Sequence, residues 1–331
     1  MDSGNIGFVL LCAAFVFVMT PGLAMFYGGL VRKKNVVNTM MTSIFIIGIG
    51  IVMWVLFGYS LSFAPSGNAF IGDFRWLGLE GVSLTEGYTD GASIPNMVFS
   101  AFQMMFAVIT PALITGAVAG RMKFKSIFVF TIFWSLIVYY PLAHMVWGQG
   151  GLLGADGIGA LDFAGGDVVH ISSGVSALVL CILLGKRHDY EHSIYRIHNI
   201  PTVVLGASLL MFGWFGFNAG SALAADGLAA HAFMTTGVSA AAAMLSWMLC
   251  DVIKNKKPTL IGASTGMVAG LVGITPGAGF VPMWAAVIIG LTTSPVCYIM
   301  ISYGKKKFGF DDALDAFSCH GTGGIWRSEE R

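Results

Sequence analysis

Ten apolar stretches divide this chain and leave it few ways to fold. They lie at approximately 6–31, 37–64, 93–119, 126–147, 163–184, 200–225, 228–253, 258–276, 280–303 and 313–326. None alternates with a period of two, and about 20 consecutive apolar residues cross a bilayer as a helix. Hydrophobic residues make up 56% of the 331 and charged residues 11%, roughly half the charged share of soluble proteins. The expected class is therefore an all-α polytopic membrane protein. Its 44 glycines suit helices packing closely in lipid, where small residues let backbones approach. A net charge of +1 points away from nucleic acid. Cys12, Cys181, Cys250, Cys297 and Cys319 are scattered through apolar segments without zinc-type spacing. Buried free thiols are expected, with no metal and no cofactor.

Charge placement sets the orientation. Arg32, Lys33 and Lys34 follow the first stretch, and Arg121, Lys123 and Lys125 follow the third. Lys186, Arg187 and Arg196 follow the fifth, Lys254, Lys256 and Lys257 the seventh, and Lys305, Lys306 and Lys307 the ninth. Basic residues thus gather in alternate loops, which the positive-inside rule assigns to the cytoplasm, leaving the N-terminus outside. The long loop from Pro65 to Ala92 carries Asp73, Glu80, Glu86 and Asp90 against a single Arg75, as an outer loop should. The N-terminus lacks a basic n-region, so no cleavable signal peptide is expected. Five spans on each side of 186–199 permit two inverted five-helix halves, a common transporter plan.

Ionisable groups inside hydrocarbon are expensive, and a histidine there marks a functional candidate. At about 1.5 Å per helical residue, His170 lies roughly 24 Å above the basic cluster at Lys186 and His320 roughly 20 Å above Lys307. His144 and His231 come out near the outer rim, and His188, His192 and His198 fall in the inner loop. His170 and His320 alone share a deep position. Two neutral imidazoles there can share one hydrogen bond and pass a proton or contact a small polar solute. Each can equally serve as glue to a neighbouring helix.

The same ruler puts Phe102, Phe217, Trp147 and Ser221 roughly 28 to 37 Å above the inner clusters, at an outer mouth. A cation shedding water there gains cation–π attraction, while interfacial belt and core packing are the ordinary uses of such rings. Asp162 and Asp167 flank the start of the fifth stretch, where each can cap a helix N-terminus. Stabilising a nearby cation is a second use for Asp162.

Six segments then carry a resemblance: TPGLAMFYGGLVRKKN (20–35), AHMVWGQGGLLG (143–154), LDFAGGDVVHISSG (161–174), GWFGFNAGSA (213–222), GLVGITPGAGF (270–280) and DDALDAFSCHGTGGI (311–325). In this order they resemble the ammonium transporter family (Amt/Mep/Rhesus) over nearly the whole chain. The resemblance implies an ammonium-transporter-like fold of eleven spans in a homotrimer, each protomer with its own pore in the cell membrane. His170 and His320 match the twin histidines of that pore, and Phe102 and Phe217 its stacked phenylalanine gate. Phe102, Trp147 and Ser221 match the outer ammonium recruitment site, and Asp162 the acid that supports it. Ammonium or ammonia is the implied substrate, with methylammonium as analogue. The family adds an eleventh span and a tail that docks PII regulators, whereas this sequence stops at Arg331. The expectation is a single transporter domain over 1–331, truncated within its tenth helix, with PII docking not carried over. A channel-like transporter, not an enzyme, is expected. The alternatives are an ammonium sensor with little flux and a non-functional truncated transporter.

Overall fold

The computed structural model describes residues 1–155, 157–188, 190 and 197–326. His192 and Arg196, used above in reading charge and depth, and Arg331 lie outside the described residues. Among those described, nine helices are long and apolar enough to cross a membrane. They are α1 (Ser3–Leu30), α2 (Lys33–Phe63), α3 (Asn96–Ile114), α4 (Phe124–Trp147), α5 (Gly166–Leu184), α6 (Ile200–Gly220), α7 (Gly227–Asn255), α8 (Leu260–Gly277) and α9 (Met283–Phe308). The tenth expected stretch is a short helical segment, α10, built from Phe317–Gly321 and Thr322–Ile325. No strand occurs among the described residues. The helix ends fall within five residues of those read from the hydropathy pattern.

Small residues decide which helices meet. α1 packs extensively along α6. A Cβ on Gly22 or Gly29 of α1 would strike Leu209 or Val203, and one on Gly206, Gly213 or Gly216 of α6 would strike α1. The two backbones therefore approach through a glycine seam, the arrangement that lipid favours where no hydrophobic force drives helices together. A second seam joins α7 to α8, where Gly266 and Gly270 face Trp247, Ala243 and the Ser239 carbonyl. Buried hydroxyls supply the polar contacts, as in Thr235 Oγ1 donating to Ala278 O at 2.7 Å and Ser239 Oγ to Gly270 O at 3.0 Å.

The connections sort by charge. At one end Arg121 Nη1 donates to Gly185 O at 2.5 Å and Arg187 Nη2 meets Asp311 Oδ1 at 2.7 Å. Lys305 pairs with Asp315 there, and the Lys254 ammonium sits 4.6 Å from the Tyr303 ring centre. The opposite end is held by backbone bonds such as Asp2 N to Ser93 O, Leu152 N to Ala69 O and Phe163 N to Pro276 O, beside the Arg75–Asp73 ion pair. His144 lies there, fully buried, with its ring nitrogens 3.1 Å from Ser62 O and 2.8 Å from Asn68 O. It ties the long loop after α2 to α4. The basic loops of the sequence thus gather at one end of the bundle.

Candidate functional site

α5 and α10 enter the bundle in the same way. Asp162 accepts four backbone N–H groups, from Gly165 and Gly166 at 2.6 Å, Asp167 at 2.8 Å and Val168 at 3.1 Å. These are the orphan donors of a helix start. Asp312 accepts from Ala316 N at 2.9 Å and Ser318 N at 3.0 Å. Both helices then open on a wide π-turn, Gly166–Ile171 carrying His170 and Phe317–Gly321 carrying His320. Single π-turns of this kind recur at functional sites. The spacing from acid to histidine is the same in each, 162 to 170 and 312 to 320. Contacts are reciprocal as well: a Cβ on Gly174 would strike the Gly321 backbone, and one on Gly324 would meet His170 Cβ at 3.3 Å. α5 and α10 cross as a matched pair.

That crossing brings the histidines together. His320 Nδ1 lies 3.3 Å from His170 Nδ1, with ring centres 5.3 Å apart and planes inclined by 27°. Only one proton fits between these nitrogens, so one ring donates and the other accepts. His170 Nε2 is buried without a hydrogen-bond partner, and both histidines line a mostly apolar cavity of about 10 Å³. That is about one probe sphere, room for a single water-sized molecule. Leu23, Ile109, Leu113, Val169, Leu210 and Val268 supply apolar wall. Trp214 stacks 5.2 Å from the His170 ring and is fixed by its indole N–H donating to Thr275 Oγ1 at 2.8 Å.

A column of rings leads outward from the pair. His170 stacks on Phe217 at 6.1 Å, Phe217 on Phe106 at 4.2 Å and 24°, and Trp147 meets Phe106 edge-on at 6.0 Å. The ring stacked on Phe217 is therefore Phe106, which corrects the expected Phe102–Phe217 pair. Phe102 lies one helical turn away on α3 and touches Phe106 edge-on at 5.0 Å. Residues at i and i+4 share a helix face, so both point toward the passage, and packing depth alone separates them.

The remaining expected residues surround the column. Trp147 donates its indole N–H to the Asp162 carbonyl at 3.0 Å. Ser221 donates to Phe217 O at 2.9 Å, which leaves its lone pairs available to a donor. Of the two uses considered for Asp162, the structure displays the cap. Burial pushes its carboxyl above the ordinary carboxylate value, and the four N–H groups oppose that shift. No cluster of three metal-ligating side chains occurs among the described residues.

These features describe a polytopic helical membrane protein whose interior holds a small, mostly apolar cavity, a column of aromatic rings and a histidine pair. The model of the Ammonium Transporter Family matches residues 7–328. An ammonium transporter of Bacillus subtilis (strain 168) is 53% identical, the match covering 98% of this chain and 79% of that protein. Mep2 of Saccharomyces cerevisiae superposes with a TM-score of 0.90 at 39% identity, covering 98% of this chain and 72% of that one. A solved structure described as a sensor Amt protein superposes with a TM-score of 0.88 at 29% identity, covering 97% and 80%. The chain belongs to the ammonium transporter family.

Proposed function

We propose that this chain moves ammonium across the cell membrane, taking the cation at the aromatic mouth and passing ammonia along the apolar column. The observation that carries this reading is the histidine pair beneath the stacked Phe106 and Phe217 rings, in a cavity of about 10 Å³. Ammonium is recruited by the faces of Phe102 and Trp147 and the lone pairs of Ser221, where cation–π attraction grows as water is shed. Asp162 acts through position: it caps α5 and, through its carbonyl, fixes the Trp147 indole. At the Phe106–Phe217 stack a bare cation meets the cost of entering an apolar space, and a neutral molecule does not. Ammonium escapes that cost by releasing a proton, whereas potassium cannot. Ammonia then passes His170 and His320, and the proton follows along the imidazole pair, which gives net movement of ammonium. The gate role passes from Phe102 to Phe106, while recruitment stays with Phe102. The basic end of the bundle faces the cytoplasm and the N-terminus lies outside, following the positive-inside rule. As the family resemblance implies, three copies assemble with a separate pore in each.

Methylammonium uptake under potassium competition tests the reading. His170→Ala and His320→Ala are expected to lose uptake or admit potassium; unchanged uptake and unchanged discrimination in both would remove the pair's role. A second reading, a sensor with little flux, draws on the 29% identity to the sensor Amt protein. Saturable ammonium binding without flux in reconstituted vesicles would favour it.

A further inference from the structure

At the basic end, away from the passage, three connections close around a second cavity of about 330 Å³. Arg32 comes from the α1–α2 connection and Lys34 from the first turn of α2, Arg121 from the chain after α3, and Arg187 and His188 from the chain after α5. No carboxylate lines it among the described residues. Asp311 sits behind the wall, 1% exposed, and fixes its shape. Arg187 forks onto it, Nε to Oδ2 and Nη2 to Oδ1, both at 2.7 Å. Arg121 Nη1 lies 3.8 Å from the same carboxylate.

Arg121 is braced from several sides. Its terminal nitrogens donate to Gly185 O and Asp311 O, both at 2.5 Å, and to Ala117 O. Its Nε has no partner, although the side chain is only 7% exposed. A buried guanidinium donor left unmet costs free energy until an acceptor arrives. A concave wall of Arg32, Lys34, Arg121, Arg187 and His188 suits a multi-oxygen anion, because guanidinium groups match phosphate geometry.

We propose that this cavity is a binding site for a phosphate-class anion, read by Arg121 and Lys34 with Arg32 and Arg187 in the wall. Two sources present that chemistry at the membrane's inner surface: the headgroup of an anionic phospholipid and a free phosphate in the cytoplasm. The site shares no lining residue with the cavity beside the histidine pair, and Asp311 behind its wall is the neighbour of Asp312, the α10 cap.

The test uses the full chain in neutral detergent, titrated with inorganic phosphate and, separately, with dihexanoyl-phosphatidylglycerol. Ionic strength is held constant with potassium chloride, and binding is read by calorimetry. Saturable binding of at least one ligand is expected, weakened at least about tenfold by Lys34→Glu and unaffected by Lys257→Glu. Both lysines are exposed, so neither exchange disturbs the core. Binding of both ligands makes the phosphate group the feature read. Phosphatidylglycerol alone assigns a lipid, and phosphate alone a soluble anion. Absence of saturable binding for both, or equal weakening by the two lysine variants, would overturn the site.

Discussion

At the scale of single residues, two phenylalanines one turn apart are proposed to do different work. Phe106 is stacked on Phe217 and meets Trp147 edge-on, whereas Phe102 meets Phe106 edge-on in that column. Replacing Phe102 by Ala is expected to raise the half-saturating methylammonium concentration roughly fivefold, the loss of about 1 kcal/mol of cation–π attraction, with discrimination against potassium intact. Phe106→Ala is expected to weaken discrimination instead. Identical kinetic profiles for the two would contradict the division. This distinction is not legible in the sequence. A depth scale of about 1.5 Å per residue, with helix ends uncertain by about two to four residues, does not resolve neighbours four positions apart on one face. The histidines are legible through the similar depths of His170 and His320, since His231 and the inner-loop histidines lie well clear, but the same scale sets His144 only about 4 Å beyond His170.

At the scale of elements, α5 and α10 depend on their acidic caps and on backbone contact at glycine. Asp162→Ala removes an acceptor for four N–H groups and is expected to cost about 2 kcal/mol, the upper end for a cap; Asp162→Asn should recover part of it. Thermal unfolding in detergent reads the difference. Gly174→Ala would push a Cβ into the Gly321 backbone, where no flexible side chain can yield. A loss of stability of about 1–3 kcal/mol and of transport is expected. Burial and the neighbouring Asp315 raise the Asp312 carboxyl to about 6, against the opposing pull of Lys305 and Ser318. A carboxyl raised in the folded state holds a proton that the unfolded chain has released, so stability falls as pH rises from about 4 to about 6. Asp312→Asn should flatten that slope, and a slope that persists would assign it elsewhere. Neither π-turn announces itself in the sequence, since hydropathy reports burial and not the number of residues per turn. The matched crossing of α5 and α10 emerges only when the two acid-to-histidine spacings are seen to converge on one contact.

At the scale of the whole molecule, hydropathy and charge carry most of the fold. The helices recur where the apolar runs lie because lipid admits no unpaired backbone, and the basic loops gather at one end because the chain alternates direction. The basic cavity of Arg32, Lys34, Arg121 and Arg187 escapes a linear reading, since it exists only where three loops meet. In the proposed mechanism a cation is excluded unless it can become neutral, and the histidine pair would serve that conversion. This mechanism is tested most directly by methylammonium uptake into proteoliposomes carrying the full chain, with and without excess potassium, for the parent and for His170→Ala and His320→Ala. Uptake by the parent that potassium does not inhibit, lost or made potassium-sensitive in either variant, is the predicted result. Uptake that potassium blocks in the parent, or that both variants retain with full discrimination, would contradict it.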